Sequence, residues 1–153
     1  MCEQKYVIFR TDDRSLKLDA IRDCDEAFTI SVIGRDSFEE LFEKIDKKAF
    51  FYVALDTPKN IMGYIVFYAN DFESKQAYIT LLVVRSEFQR MHIGTELVKE
   101  CCKMCRARGF EMVRLKVLNR DVKARSFYRK VGFADCDDAV SREDSRYMEL
   151  RIV

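Results

Sequence analysis

The amino-acid sequence predicts one mixed α/β domain over residues 1–153, with a twisted, mostly antiparallel sheet of six or seven strands and helices on both faces. The length of 153 residues suffices for one ordinary hydrophobic core. The composition, 48% hydrophobic and 35% charged, is typical of a packed globular domain. Short strand-like runs also alternate with segments of helical periodicity, the pattern of a layered α/β fold.

The first half of the chain predicts one side of this sheet together with two helices. Residues 6–10 are rich in strand formers, and the next segment has apolar residues at imperfect helical spacing. Ser37 stands before an amphipathic segment and Glu40 follows it by three positions, which is a capping box. Residues 50–55 and 61–68 are apolar runs separated by turn formers, so they predict an antiparallel hairpin.

The middle of the chain predicts a strand–helix–strand unit. Residues 78–84 are almost continuously apolar, which favours a central strand covered on both faces. A polar loop over 85–92 leads to apolar residues at helical spacing that end at Gly109. Residues 112–117 then alternate apolar and basic side chains, as a strand does. A right-handed crossover between the two strands makes them parallel.

The last third of the chain predicts one more helix and the closing strands. Asp121 is a suitable N-cap for a helix that Gly132 terminates. Phe133 and residues 146–153 are expected to add antiparallel strands.

Charge is distributed unevenly along the chain. The net charge is +1, yet residues 89–130 carry twelve Lys or Arg against four Asp or Glu, a local charge of +8 that leaves the remainder near −7. An anionic cofactor, a nucleic acid or an ordinary solvated surface would each account for this basic half. Recognition-helix and aromatic-platform signatures are absent, so we expect no nucleic-acid partner.

Location and cysteine use are predicted from composition. No apolar run reaches the roughly 20 residues of a membrane-spanning helix, and the start lacks a signal-peptide core, so we expect a cytoplasmic protein without membrane contact. The six cysteines are then expected as thiols. Cys101, Cys102 and Cys105 lie in one predicted helix without a second ligand pair, which favours packing over a metal site.

The junction over residues 84–95 is a candidate anion site. It joins the carboxyl end of a buried strand to the amino end of a helix, where unpaired N–H groups and the helix dipole attract phosphate. Gly94 allows close approach to the main chain, and Arg90 adds a positive charge. Neither a Walker loop nor a three-glycine dinucleotide fingerprint is present.

A second pattern follows some thirty residues later. Residues 124–133 read Ala-x-x-Phe-Tyr-x-Lys-x-Gly-Phe, after the Gln-x-x-x-x-Gly of residues 89–94. Together the two patterns resemble the GNAT superfamily of N-acetyltransferases, and the resemblance covers about residues 50–133. It implies a single acetyltransferase domain with a splayed central parallel pair, in which acetyl-CoA is the co-substrate and no metal is needed.

The resemblance also implies roles for individual residues. Tyr128 matches the family's tyrosine, which is placed to protonate the departing thiolate during direct transfer. The pyrophosphate would lie on backbone N–H groups, and the pantetheine arm along the strand that ends at Val84. The implied cofactor-binding residues are Val84, Gln89, Arg90, Met91, His92, Ile93, Gly94, Thr95, Asn119, Asp121 and Ser126.

Two positions depart from the family pattern. His92 stands where the family usually has a glycine, so its side chain would narrow the approach of a phosphate or impose an awkward backbone angle, although imidazole can also donate a hydrogen bond. Asp121 replaces an asparagine and cannot donate an amide hydrogen bond. Asp71 and Glu73 are candidate general bases, but solvation in a loop is the simpler explanation for both.

These observations favour an acetyl-CoA-dependent N-acetyltransferase of the acyltransferase class, acting on a primary amine of a small molecule or of a peptide, as a monomer or homodimer. The alternative is a non-catalytic acyl-CoA-binding or sensing module. Tyr128 favours catalysis, unless it is only a half-buried aromatic residue of an amphipathic helix.

Overall fold

The computed structural model describes residues 6–28, 31–56, 60–136 and 144–153. Its secondary-structure elements occur in the order that the sequence predicts. The strands are β1 (Tyr6–Arg10), β2 (Phe50–Asp56), β3 (Asn60–Tyr68), β4 (Gln76–Val84), β5 (Met112–Leu118), β6 (Ala134–Asp135) and β7 (Ser145–Arg151). The α-helices are α1 (Arg14–Cys24), α2 (Phe38–Lys48), α3 (Ile93–Ala107) and α4 (Val122–Val131). Short 3₁₀ helices cover Asp25–Ala27 and Ser86–Met91.

One sheet contains all seven strands in the order β1-β2-β3-β4-β5-β7-β6. The pair β4 and β5 is parallel and begins with Gln76 opposite Met112. The pairs β1–β2, β2–β3, β5–β7 and β6–β7 are antiparallel. The predicted fold class is therefore confirmed, including the parallel pair that the crossover rule requires.

The chain forms two compact units. The first consists of Met1–Phe67 and Leu81–Cys101, and the second of Tyr68–Thr80 and Cys102–Val153. The first unit buries a cluster in which residues of α1 and α2 pack with β2, β3 and the end of β4. Its buried aromatic rings include Phe51 and Tyr64, which stack with centroids 5.2 Å apart.

An ion pair joins the two helices of the first unit. The Lys17 side chain on α1 is only 2% exposed, and its Nζ lies 3.0 Å from Asp46 Oδ1 on α2. Asp46 also accepts a hydrogen bond from Arg14 at 2.8 Å. Burial by itself would raise the pKa of Asp46, but the hydrogen bonds from Lys17 and Arg14 outweigh it and lower the pKa. The pair thus satisfies a lysine that would otherwise be a costly buried charge.

Three of the four predicted helix signals hold, and one of them is Gly132, the C-cap of α4 with φ +121°. Asp121 Oδ1 accepts from Ala124 N at 3.0 Å at the start of α4, and Gly109, with φ +85°, follows the last turn of α3. The capping box at Ser37 is wrong, because the Ser37 side chain makes no capping hydrogen bond. With φ −99° and ψ 21°, Ser37 sits in a turn and lacks the extended conformation that aims an N-cap hydroxyl at the helix.

Two strand expectations need correction. On β4 only alternate residues are buried, so the expectation of a strand fully covered on both faces is wrong for the intervening, partly exposed side chains. Phe133 is buried but precedes β6, which begins at Ala134. The predicted hairpin of β2 and β3 is confirmed, with its turn outside the described residues.

Gly63 on β3 is a point of close approach that the sequence did not reveal. A Cβ built on Gly63 would lie 2.5 Å from the Val83 carbonyl oxygen and 3.0 Å from Val84 Cα. No side chain fits at that distance, so glycine is required where β3 passes the carboxyl end of β4.

Candidate active site

The segment that follows β4 is folded back onto the strand rather than being an irregular loop. The Arg85 backbone N–H donates to the Met62 carbonyl at 2.8 Å, and residues 86–91 then form a 3₁₀ helix. The Gln89 side-chain amide donates through Nε2 to the Val84 carbonyl at 3.0 Å. Two residues of the predicted cofactor set are thereby joined to each other.

His92 is the residue that connects this 3₁₀ helix to α3. Its φ of 61° and ψ of 19° place it in the left-handed region. A residue with a Cβ is strained there, and glycine is not. The awkward backbone angle expected from the missing glycine is therefore present, and the imidazole is exposed.

Unpaired backbone donors lie directly after His92. The first N–H bonded within the turn is that of Glu96, which donates to the His92 carbonyl at 3.1 Å. Among the described residues, the N–H groups of 93–95 make no hydrogen bond, as expected for the first turn of a helix. Gln89 and Arg90 are exposed beside them. Ile93 is fully buried, so the N–H groups open to a ligand are those of the partly exposed Gly94 and Thr95.

This arrangement suits an anion. Aligned N–H groups, the positive end of a 15-residue helix and an exposed arginine are the donors that a pyrophosphate needs. The residues of segment 84–95 thus fit the phosphate part of a nucleotide-derived cofactor such as acetyl-CoA.

The second unit contains Tyr128, the predicted proton donor, on α4. Its ring makes edge-to-face contacts with Phe127 and Phe133, at centroid distances of 5.3 and 5.6 Å. Burial raises the pKa of the Tyr128 hydroxyl well above that of free tyrosine, and the nearby Asp121 and Tyr78 raise it further. The hydroxyl therefore keeps its proton at neutral pH.

The other predicted residues of this unit have structural contacts. Asn119 Oδ1 accepts from Arg146 Nε at 2.7 Å, and its carbonyl accepts from Arg125 at 2.9 Å. Asp121 caps α4, and Ser126 is exposed on the same helix. These contacts fix the turn between β5 and α4.

A cleft of about 140 Å³ in the second unit was not predicted. We call it the Arg114 cleft. It is lined by Asp71, Ser74, Gln76, Ala77, Tyr78, Arg114 and Tyr147. The basic residues that alternate with apolar ones along β5 were the available signal, because alternation places Arg114 on the face opposite the buried Val113 and Leu115.

Asp71 lies in this cleft, but both oxygens of its carboxylate already accept hydrogen bonds. It accepts from the Ser74 hydroxyl at 2.8 Å and from the Ser74 backbone N–H at 3.2 Å. These hydrogen bonds lower the pKa of Asp71, which makes it a weaker base than an ordinary carboxylate. The candidate role of Asp71 as a general base thus gains no support.

The described parts of the chain contain no group of three or more metal-ligating side chains. They also contain no helix that is long and apolar enough to cross a bilayer. The buried thiols Cys24, Cys101, Cys102 and Cys105 form no disulfide.

Solved structures show where else this fold occurs. A GNAT-family acetyltransferase from Desulfovibrio desulfuricans matches with a TM-score of 0.80 and 16% identity over 97% of this chain and 100% of its own. The Escherichia coli ribosomal-protein-S18-alanine N-acetyltransferase matches with a TM-score of 0.76 and 15% identity, over 97% of this chain and 94% of its own. PaiA N-acetyltransferase from Thermoplasma acidophilum, in complex with coenzyme A, matches with a TM-score of 0.71 and 18% identity, over 96% of this chain and 99% of its own.

Sequence comparison identifies the family. No curated protein matches the chain significantly. The sequence model of the acetyltransferase (GNAT) family matches residues 18–133, which include both patterns described above and most of the chain. The chain therefore belongs to the GNAT family of acetyltransferases.

Proposed function

We propose that the protein transfers an acetyl group from acetyl-CoA directly to a primary amine of a small molecule or a peptide, as one catalytic domain. Membership of an acetyltransferase family supports the reaction class. The observation that carries the proposal is the pair of unpaired, partly exposed N–H groups of Gly94 and Thr95 beside Arg90, since they supply donors for the pyrophosphate.

Residues of the predicted cofactor-binding set are found in each unit. In the first unit, the backbone N–H groups of Gly94 and Thr95 and the Arg90 side chain would hold the phosphates, with Gln89 and His92 beside them. In the second, Asn119, Asp121 and Ser126 flank the turn that presents α4. We expect cofactor contacts from these residues and from Val84, Met91, Ile93, Gly94 and Thr95.

Tyr128 is the proposed proton donor. Acetyl-CoA supplies a thioester, whose carbon–sulfur bond breaks as the new carbon–nitrogen bond forms. Tyr128 holds a proton at neutral pH and can donate a hydrogen bond to the sulfur as it becomes negative. Full proton transfer is uphill, because a thiol pKa is about 8.5 and burial holds the phenol pKa above about 10.

The acceptor amine must lose its own proton before it attacks. Asp71 is a weak base in this structure, so solvent or a water relay is the simplest acceptor of that proton. The Escherichia coli neighbour is named for a protein acceptor. A small-molecule amine is our first expectation, and a peptide amine the second.

Two measurements test the proposal. Acetyl-CoA at millimolar concentration should raise the thermal midpoint, and the gain should shrink between 50 and 500 mM salt, because screening weakens contacts between phosphates and exposed cations. A screen of amines with acetyl-CoA should then release free thiol. A midpoint that acetyl-CoA leaves unchanged would overturn the proposal.

The second candidate is an acyl-CoA-binding module without turnover. The strained His92 and the Asp121 that replaces an asparagine are the features that favour it. Stabilisation by acetyl-CoA with no thiol release for any amine or peptide tested would support this candidate instead.

A further inference from the structure

The lining of the Arg114 cleft includes one cation and two tyrosine rings. Tyr78 on β4, Arg114 on β5 and Tyr147 on β7 lie on three adjacent strands of the sheet. Its volume of about 140 Å³ is close to the ~150 Å³ cavity that accommodates benzene, so it admits a group of a few heavy atoms. The cleft is therefore sized for part of a small ligand rather than for a folded partner.

The guanidinium of Arg114 makes few hydrogen bonds to the described part of the protein. Its five N–H donors make one weak hydrogen bond among the described residues, from Nη2 to Cys136 Sγ at 3.7 Å. Nε is buried and makes no hydrogen bond there. The guanidinium instead lies over the Tyr147 ring, 5.0 Å from its centroid. An arginine with unused donors can bind a planar, bidentate acceptor.

One carboxylate pairs with Arg114 without satisfying its donors, and a second carboxylate lines the same cleft. Glu149 Oε2 lies 3.7 Å from Arg114 Nε, which is an ion pair without a hydrogen bond, and Glu149 does not line the cleft. Asp71 lines the cleft, but Ser74 occupies its oxygens. The cleft therefore keeps room for an external anion that bonds to the fork of Arg114.

Tyr78 connects this cleft to the proposed proton donor. Tyr78 lines the cleft, and it also lies close enough to Tyr128 that its ionisation raises the pKa of the Tyr128 hydroxyl. The Arg114 cleft and the Tyr128 hydroxyl therefore lie near one shared residue of the second unit.

We propose that Arg114, flanked by Tyr78 and Tyr147, binds the carboxylate of the acetyl acceptor, so that the acceptor is a small amino acid carrying both an amine and a carboxylate. This inference rests on the acetyl-transfer function proposed above. It narrows the acceptor from any amine to one chemical class, and it gives the cleft a specificity role that no family pattern assigned.

The test uses isosteric ligand pairs on the intact protein. Calorimetric titrations compare glycine, 3-aminopropanoate, 4-aminobutanoate and 5-aminopentanoate with the corresponding carboxamides, in the presence of coenzyme A. We expect at least one carboxylate to bind ten-fold or more tightly than its carboxamide, because only the carboxylate forms the charge-assisted pair. Equal affinities within every pair, or no binding by any carboxylate at 10 mM, would overturn the proposal.

Variants then assign the effect to Arg114. Arg114→Gln should weaken binding of the preferred carboxylate by about 10- to 100-fold and leave its carboxamide unaffected. Lys116→Gln is the control, since it removes the same charge from an exposed position on the same strand. If Lys116→Gln lost as much affinity as Arg114→Gln, the effect would come from the net charge of the protein alone, and the assignment to Arg114 would be refuted. If Arg114→Gln does not fold, Arg114→Lys, which keeps the charge but loses the fork, should still weaken binding.

The readouts separate this inference from the proposed function. Stabilisation by acetyl-CoA is measured on the same samples, and it depends on the first unit's segment 84–95. Suppose that acetyl-CoA still stabilises the protein, and that amines without a carboxylate are acetylated as efficiently as amines with one. That result would overturn the carboxylate site while the acetyltransferase function stands. Loss of acetyl-CoA stabilisation in the wild type would instead count against the function.

Discussion

The Gln89 side chain donates a hydrogen bond from Nε2 to the carbonyl oxygen of Val84, 3.0 Å away. Val84 is the last residue of β4, and Gln89 lies five residues later in the 3₁₀ helix. The side chain therefore closes a small loop and holds the segment that leads to the N–H groups of 93–95.

Replacing Gln89 by Met, which has similar length but cannot donate, should loosen this loop. We expect a loss of about 1 kcal/mol in the free energy of unfolding, the usual net value of one hydrogen bond, and a smaller acetyl-CoA-induced midpoint shift. Denaturant titrations and thermal melts measure both. Arg90→Gln is the comparison: it should leave stability without ligand unchanged but reduce the acetyl-CoA shift and its salt dependence. A Gln89→Met protein with an undiminished shift would show that the loop is held by other contacts.

His92→Gly should stabilise the fold or leave it unchanged, because relief of left-handed strain, about 1 kcal/mol, offsets the greater chain entropy of glycine. His92→Val should destabilise it, since a β-branched residue tolerates positive φ least. Chemical denaturation of the two variants gives the order. If His92→Gly proves less stable than His92→Val, the imidazole must make a contact that outweighs its backbone strain.

Gly63→Ala should destabilise the protein by about 1–3 kcal/mol, the range for overpacked interiors. The added methyl group would sit 2.5 Å from the Val83 carbonyl oxygen, a backbone atom that cannot rotate away. Because β4 must shift, acetyl-CoA stabilisation should fall as well. Ala54→Gly, on the strand paired with Gly63, is a useful comparison, because it also changes one methyl group but creates no clash. Normal stability of Gly63→Ala would mean that the two strands separate easily.

Tyr128→Phe tests the proton donor once an accepted amine is known. The phenyl ring keeps its contacts with Phe127 and Phe133, so the variant should fold and bind acetyl-CoA. Loss of the hydrogen bond to the developing thiolate predicts that kcat falls by a factor of roughly 10²–10³ while KM for acetyl-CoA changes little. Steady-state kinetics on a variant that circular dichroism shows to be folded decides it. An unchanged kcat would reduce Tyr128 to a packing residue.

Stability should fall in mildly alkaline solution because of Cys24. Burial raises the pKa of this thiol from 9.0 to about 12, although the nearby Arg85 acts in the opposite direction. A folded pKa above the unfolded one means that the contribution is complete below pH 9 and is lost as the pH rises from 9 towards 12. Urea midpoints at pH 8, 9, 10 and 11 measure the slope, and Cys24→Ala should make it shallower. The same slope in wild type and variant would exclude Cys24 as its source.

The elements that the sequence predicted well are those set by local pattern. Alternation defined β5, and Asp121 and Gly132 marked the two ends of α4, because caps act within one turn of the chain. Ser37 shows the limit of such motifs. Its capping box has the right residues, but the preceding turn sets a backbone angle that points the hydroxyl elsewhere.

Features that depend on distant atoms could not be predicted in the same way. The need for glycine at Gly63 comes from the Val83 carbonyl, twenty residues further along the chain. The Arg114 cleft requires residues from three strands and one loop to be adjacent. Of the candidate site, the proposed anion-binding segment 84–95 followed from a strand-to-helix junction, whereas the cleft required the strand order of the folded sheet.

The burial of Lys17 makes this side chain a reporter of local opening. Lysines on the surface of any protein that handles an activated acetyl donor are exposed to non-enzymatic acylation, whereas the Lys17 amine is 2% exposed and held by Asp46. Acetic anhydride should therefore label exposed lysines such as Lys47 and Lys99 within seconds and spare Lys17 until α1 and α2 separate. Mass spectrometry of that one peptide would give the rate at which the first unit opens.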